Sequence, residues 1–148
     1  MEPLSVRIEP RATAAQAWDV MTDADGYREW VPEVTGVDGE VSHGQWITLH
    51  RPGTDRDLML HVTASADRRL LRWESGAPLG MLSERCTFIL TEPEARYGCV
   101  VEIERGIGGS LERLLGDGPD EQRGWLERTA AGLKAAVERR AGLPAASP

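Results

Sequence analysis

From Leu4 to Ile8 apolar and polar positions alternate: Leu4, Val6 and Ile8 fall on one face, Ser5 and Arg7 on the other. That period of two predicts a half-buried strand, which Pro10 ends. The spacing then turns helical. Ala14, Trp18 and Met21 recur on one side of a short helix that Thr13 is placed to cap. Asp23, Asp25 and Gly26 break it, and a second short helix over Gly26–Trp30 stops ahead of Pro32. From Val34 the period returns to two, predicting strands over 34–41, 45–51, 57–66, 69–75, 82–91 and 97–105. The separators are short (Asp38-Gly39 and Asp67-Arg68 among them), so neighbouring strands are expected to pair antiparallel as a meander.

Gly106-Ile107-Gly108-Gly109 predicts a flexible joint and gate, with Leu111, Leu114 and Leu115 beyond it as a lid. A last helix is predicted over Pro119–Arg140. Its apolar stripe, Leu126, Ala130, Leu133 and Val137, advances in steps of four, three and four. Gly142 and Pro144 stop it, leaving residues 143–148 as a disordered tail. The expected fold class is α+β: a curved seven-stranded antiparallel sheet, two short helices, and a long C-terminal helix across the concave face. A helix of about 20 residues is roughly 30 Å long, and only this one can cover the sheet. A strongly curved sheet closed by one helix is expected to leave a hollow beneath it.

Three segments carry a family resemblance. IEPRATAAQAWDVMTDADGYREWVPEV at residues 8–34 combines a strand, a helix with Trp18 and an Asp-x-x-x-Tyr-x-x-Trp-x-Pro turn. LLRWESG at 70–76 and CTFILTEPE at 86–94 add to it, as does the final helix GWLERTAAGLKAAVER. Together they resemble the START-like, helix-grip superfamily (SRPBCC), which includes birch-pollen-type allergens and polyketide cyclase/dehydrase-like lipid-binding proteins. The resemblance runs from Leu4 to about Gly142. It implies a helix-grip fold with a cavity for a hydrophobic ligand, and no fixed catalytic motif.

Composition narrows the picture. The 148 residues are 41% hydrophobic, consistent with one ligand-binding domain over residues 1–142 that buries roughly 68–70% of its unfolded surface. Net charge is −7, with acids interleaved among the arginines, as in ERLLGDGPDEQRGWLER, so nucleic acid is not an expected partner. No apolar run reaches the roughly 18 residues of a membrane span. MEPLSVRIEP lacks the basic start and apolar stretch of a secretion signal. A cytoplasmic monomer or weak homodimer without membrane insertion is expected. Cys86 and Cys99 have no CxxC or other metal spacing and read as buried thiols. No GxSxG, HExxH, P-loop or GxGxxG pattern occurs, and neither cofactor nor metal is expected.

The strand phases select candidate site residues. Trp73 shares a face with Leu71 and is expected on the concave side. Trp18 and Trp30 suit core packing, Trp30 also reaching the ligand space. Cys86, Phe88 and Leu90 alternate on one strand, Cys99, Val101 and Ile103 on the next. The two sets share a face only if opposed residue numbers sum to an odd value, as with Phe88 against Val101 or Cys99. Either of these pairings sets Cys86 against Ile103 or Val101 and not against Cys99, and sets Arg85, Glu102 and Glu104 on the convex side. The expected ligand contacts are therefore Trp30, Trp73, Cys86, Phe88, Val101, Ile103, Leu126 and Leu133.

Glu84, in phase with Cys86, is the first candidate for acid–base chemistry. His50 is the other. It shares a face with Trp46 and Thr48, and the pattern leaves open whether that face or the Ile47/Leu49 face is inside. His43 is expected in a turn and His61 outward. A His50–His61 metal pair lacks a third ligand. These features point to binding of a small hydrophobic or aromatic molecule, lipid- or polyketide-like. A polyketide cyclase or dehydratase using the same cavity is the first alternative, and a cochaperone or stress-response interaction module the second.

Overall fold

The structure, a computed structural model, describes residues 4–53, 57–76, 83–94, 97–108 and 119–142. Seven strands form one antiparallel, curved sheet: β1 (Leu4–Ile8), β2 (Gly36–Asp38), β3 (Trp46–His50), β4 (Leu58–Ala64), β5 (Leu70–Gly76), β6 (Ser83–Thr91) and β7 (Val100–Gly108). Their order across the sheet is β1-β7-β6-β5-β4-β3-β2, a meander from β2 to β7 with β1 added on the far edge. Helices α1 (Ala14–Met21) and α2 (Tyr27–Trp30) follow β1, joined by a 3-10 turn at Ala24–Gly26. The long helix α3 (Pro119–Arg140) closes the chain's described part and packs on the sheet through its β1 and β7 side.

Local chemistry accounts for these ends. Thr13 Oγ1 accepts the Gln16 N–H at 3.1 Å while the Gln16 side chain accepts the Thr13 N–H at 2.9 Å, a reciprocal cap on α1. Glu92 adds a carboxylate to the same helix start, accepting the Ala14 N–H at 2.8 Å. At the other end of the chain α3 begins with Asp120 and Glu121 and ends with Arg139 and Arg140, charges that suit its dipole. Gly142, with φ at +85°, turns the chain out of the helix.

Leu126, Ala130, Leu133 and Val137 are all buried, as the helical stripe requires. They meet Val101 and Ile103 of β7, Phe88 and Leu90 of β6, and Leu71 of β5 in one core. Helix α2 comes so close to α3 that a Cβ on Gly132 would lie 2.6 Å from the Trp30 carbonyl oxygen. Glu138 ties α3 to the chain ahead of α1. Burial alone would push its carboxyl up, but the Arg11 N–H at 2.9 Å and Lys134 Nζ at 3.1 Å outweigh this and hold it below the usual carboxylate value. An Arg140–Asp23 pair at 2.7 Å joins the same surfaces.

Two sequence expectations need correction. The proposed glycine joint does not begin at Gly106: β7 continues through Gly108, pairing Arg85 with Gly106, Glu84 with Ile107 and Ser83 with Gly108. Backbone pairing with β6 overrides the weak strand preference of glycine there. The expected lid residues Leu111, Leu114 and Leu115 lie outside the described residues, as does the tail from residue 143. In the β6–β7 hairpin Phe88 faces Ile103, not Val101 or Cys99. The parity is as expected, since 88 and 103 sum to an odd number. Thr91 pairs with Val100, which sets Phe88 opposite a residue two beyond Val101 and four beyond Cys99 along β7.

Candidate functional site

Along the inward face of the sheet each strand passes from packed core to open space. On β5 the sequence of inward residues is Leu71, Trp73, Ser75; on β6 it is Phe88, Cys86, Glu84; on β7 it is Val101, Ile103, Arg105. The first members are buried in the core, and the last ones line a hollow of about 1090 Å³. Leu49 of β3 and Leu58 and Leu60 of β4 continue its apolar floor, with Val31 and Val34 from the segment after α2. Glu121, Gly124, Trp125 and Arg128 from the first half of α3 form the opposite wall.

A cluster of four aromatic rings fills the space that simple curvature would have left under the middle of α3. Trp73 stands 4.8 Å from Phe88, 5.3 Å from Tyr27 and 6.0 Å from Trp30, centroid to centroid. Tyr27 and Trp30 lie edge to face at 5.1 Å, and Trp30 meets Phe88 at 5.9 Å. The Tyr27 hydroxyl donates to the Met21 carbonyl, and burial pushes this phenol far above its ordinary value. Among the described residues the buried indole nitrogens of Trp30 and Trp73 meet no hydrogen-bond acceptor. The cluster shifts the hollow toward the N-terminal half of α3.

Of the residues expected to touch ligand, the structure puts Trp73 and Cys86 on the wall of the hollow. Trp30, Phe88, Val101, Ile103, Leu126 and Leu133 sit in the packed core behind them. Burial pushes the Cys86 thiol up to about 12, partly opposed by Arg105, so it stays a neutral wall atom. Cys99, away from the hollow, is pushed up to about 11, chiefly by burial. Glu84 lines the hollow.

His50 does not line it. Ile47 and Leu49 are the buried side of β3, which puts Trp46, Thr48 and His50 on the outer face. There His50 Nε2 lies 2.8 Å from Asp38 and Nδ1 3.0 Å from Asp57. Hydrogen bonds to these two carboxylates hold the imidazole above its ordinary value of 6.5, as a clamp between β2 and the β3–β4 connection. His61 is also outward, its ring 5.0 Å from that of the exposed Trp46. Its direction is that expected.

Sequence reasoning missed Arg105. It lines the hollow, and its guanidinium carbon sits 4.6 Å over the Trp125 ring. The signal was present: Arg105 has the same strand parity as Val101 and Ile103.

A curved antiparallel sheet around a long C-terminal helix is the START-like, helix-grip class of protein. More closely, the chain belongs to the polyketide cyclase / dehydrase and lipid transport family, whose profile matches residues 1–140. No curated protein matches it in sequence. Among solved structures it is similar to a START superfamily protein from Mycobacterium smegmatis, with a TM-score of 0.70 and 16% identity over 93% of this chain and 97% of that one. It is similar to norcoclaurine synthase from Thalictrum flavum, solved in complex with dopamine and hydroxybenzaldehyde, with a TM-score of 0.67 and 15% identity over 93% and 87%. The di-domain ARO/CYC BexL from the BE-7585A biosynthetic pathway gives a TM-score of 0.67 at 11% identity, over 93% of this chain and 48% of that one. At these identities the likeness is one of fold. Among the described residues no helix is long and apolar enough to cross a membrane.

Proposed function

We propose that this protein binds a small hydrophobic or aromatic molecule in the hollow between the inward face of β3–β7 and the first half of α3. The observation that carries the reading is the hollow itself. Its volume of about 1090 Å³ is slightly above the roughly 300–1,000 Å³ usual for ligand pockets. Trp73, Cys86, Leu49 and Leu60 give it an apolar floor that ordinary packing would have closed. Trp73 and Cys86 are the ligand contacts from the floor. The small aromatics carried by norcoclaurine synthase, a protein of the same fold, are of a size such a space accepts.

A second reading, cyclisation or dehydration of a reactive chain held in the same space, rests on Glu84, an inward carboxylate at the edge of that floor. Native mass spectrometry of protein purified from its own host tests the binding reading. Retention of a small-molecule mass on the folded protein is the expected result. A clean unliganded mass accompanied by a bound protein would instead favour an interaction module.

A further inference from the structure

The wall of the hollow is not uniformly apolar: charged side chains of both signs line it. Trp73, Cys86 and Arg105 are direct partners across β5, β6 and β7, and all three point inward. They form one transverse row. With strands roughly 4.8 Å apart, the row runs about 10 Å from an aromatic plate, past a neutral thiol, to a guanidinium. Arg105 stands on the inward phase of β7, so its charge borders the apolar floor instead of the outer face. Trp125 fixes it there, its ring under the guanidinium carbon at 4.6 Å. Arg51 and Arg128 line the same space, and so do the carboxylates of Glu33, Glu84 and Glu121. Asp57, a carboxylate of the rim, already faces His50 at 3.0 Å.

We propose that the ligand is an amphipathic anion: an aromatic or apolar body lying along Trp73 and Cys86, with a carboxylate or similar anionic group received by Arg105 on its Trp125 seat. This rests on the binding reading above and specifies the ligand's class. A guanidinium has five N–H donors in a planar fork, so it accepts an anionic group alongside whatever other contacts it keeps. The protein as a whole carries −7 and repels anions at long range. Selectivity for one must therefore come from a local cation, and the row supplies it beside the apolar plate.

Two dyes with the same anilinonaphthalene body separate the two ideas: neutral N-phenyl-1-naphthylamine and the anionic 8-anilinonaphthalene-1-sulfonate. Titrated against the intact protein by fluorescence, the sulfonate is expected to bind at least tenfold more tightly than the neutral dye. Arg105→Gln should remove most of that advantage and leave the neutral dye within about twofold. If Arg105→Gln does not fold, Arg105→Lys carries the same test, because an ammonium keeps the charge and loses the stacked fork. It should weaken the sulfonate severalfold and spare the neutral dye. Equal affinities in the wild type, or a variant that weakens both dyes alike or neither, would overturn the anion assignment while leaving the cavity reading intact. Binding of neither dye would overturn the cavity reading and the assignment with it.

Discussion

Leu133→Asp is expected to unfold most of the protein at room temperature. Leu133 has 0% exposure and stands at the centre of the α3 stripe, in one core with Leu126 and Val137 of its own helix and Phe88 and Ile103 of the sheet. Removing such a side chain to alanine costs about 2–5 kcal/mol. Aspartate adds a charge with no partner among these apolar neighbours, worth further kcal/mol in desolvation or in an enforced proton. An ordinary domain has about 5–15 kcal/mol in total. Far-ultraviolet circular dichroism during urea titration should show the native baseline shortened or lost. A midpoint close to that of the wild type would mean that α3 does not close this core.

The second large effect sets two glycines of one helix against each other. At Gly132 even a methyl group meets the Trp30 carbonyl oxygen at 2.6 Å, a backbone atom that cannot swing aside. Gly132→Val should push α2 and α3 apart, misplace Trp30 in the aromatic cluster and cost about 1–3 kcal/mol or more by overpacking. Each kcal/mol lowers Tm by roughly 2–4 °C in a domain near this size. Gly124, also in α3, has nothing within 4 Å of an added Cβ. Gly124→Ala should therefore stabilise by about 0.4–1 kcal/mol, through helix propensity and a less flexible unfolded chain. Thermal melts of the two variants should move in opposite directions. A Gly132→Val melt equal to the wild type would remove the close α2–α3 contact from this account.

Much of the architecture was legible because parity and helical period are local properties. Alternation in Leu4–Ile8 and in Cys86–Leu90 says which residues share a face, and burial of one face decides the rest. The α3 stripe was legible for the same reason. Registers in steps of two were not, since Phe88 opposite Val101 or Ile103 satisfies the same alternation. Nor was the position of the hollow. Trp30 arrives from α2, Tyr27 from the same turn, and Trp73 and Phe88 from two strands. That these four rings meet and fill the middle of the fold depends on tertiary placement. Trp73 and Cys86 were therefore placed on the wall while Phe88 and Val101 went to the core behind it. Arg105 was overlooked because a charge in a strand is ordinarily read as outward. His50 shows the reverse difficulty: a strand with apolar Trp46 on one face and Ile47 and Leu49 on the other has two candidate insides.

The central claim is that the space beside Trp73 is a ligand site, and Ser75→Trp tests it most directly. Ser75 follows Trp73 on the inward phase of β5 and lines the hollow. An indole there enters space that packing has left empty, so stability should hardly change, whereas in solid core the same enlargement would cost about 1–3 kcal/mol. Affinity for N-phenyl-1-naphthylamine, titrated on the folded variant, is predicted to fall at least tenfold, about 1.4 kcal/mol, with Tm within a degree or two of the wild type. Unchanged affinity in a folded Ser75→Trp protein would contradict the claim, because the dye would then be binding somewhere other than this hollow.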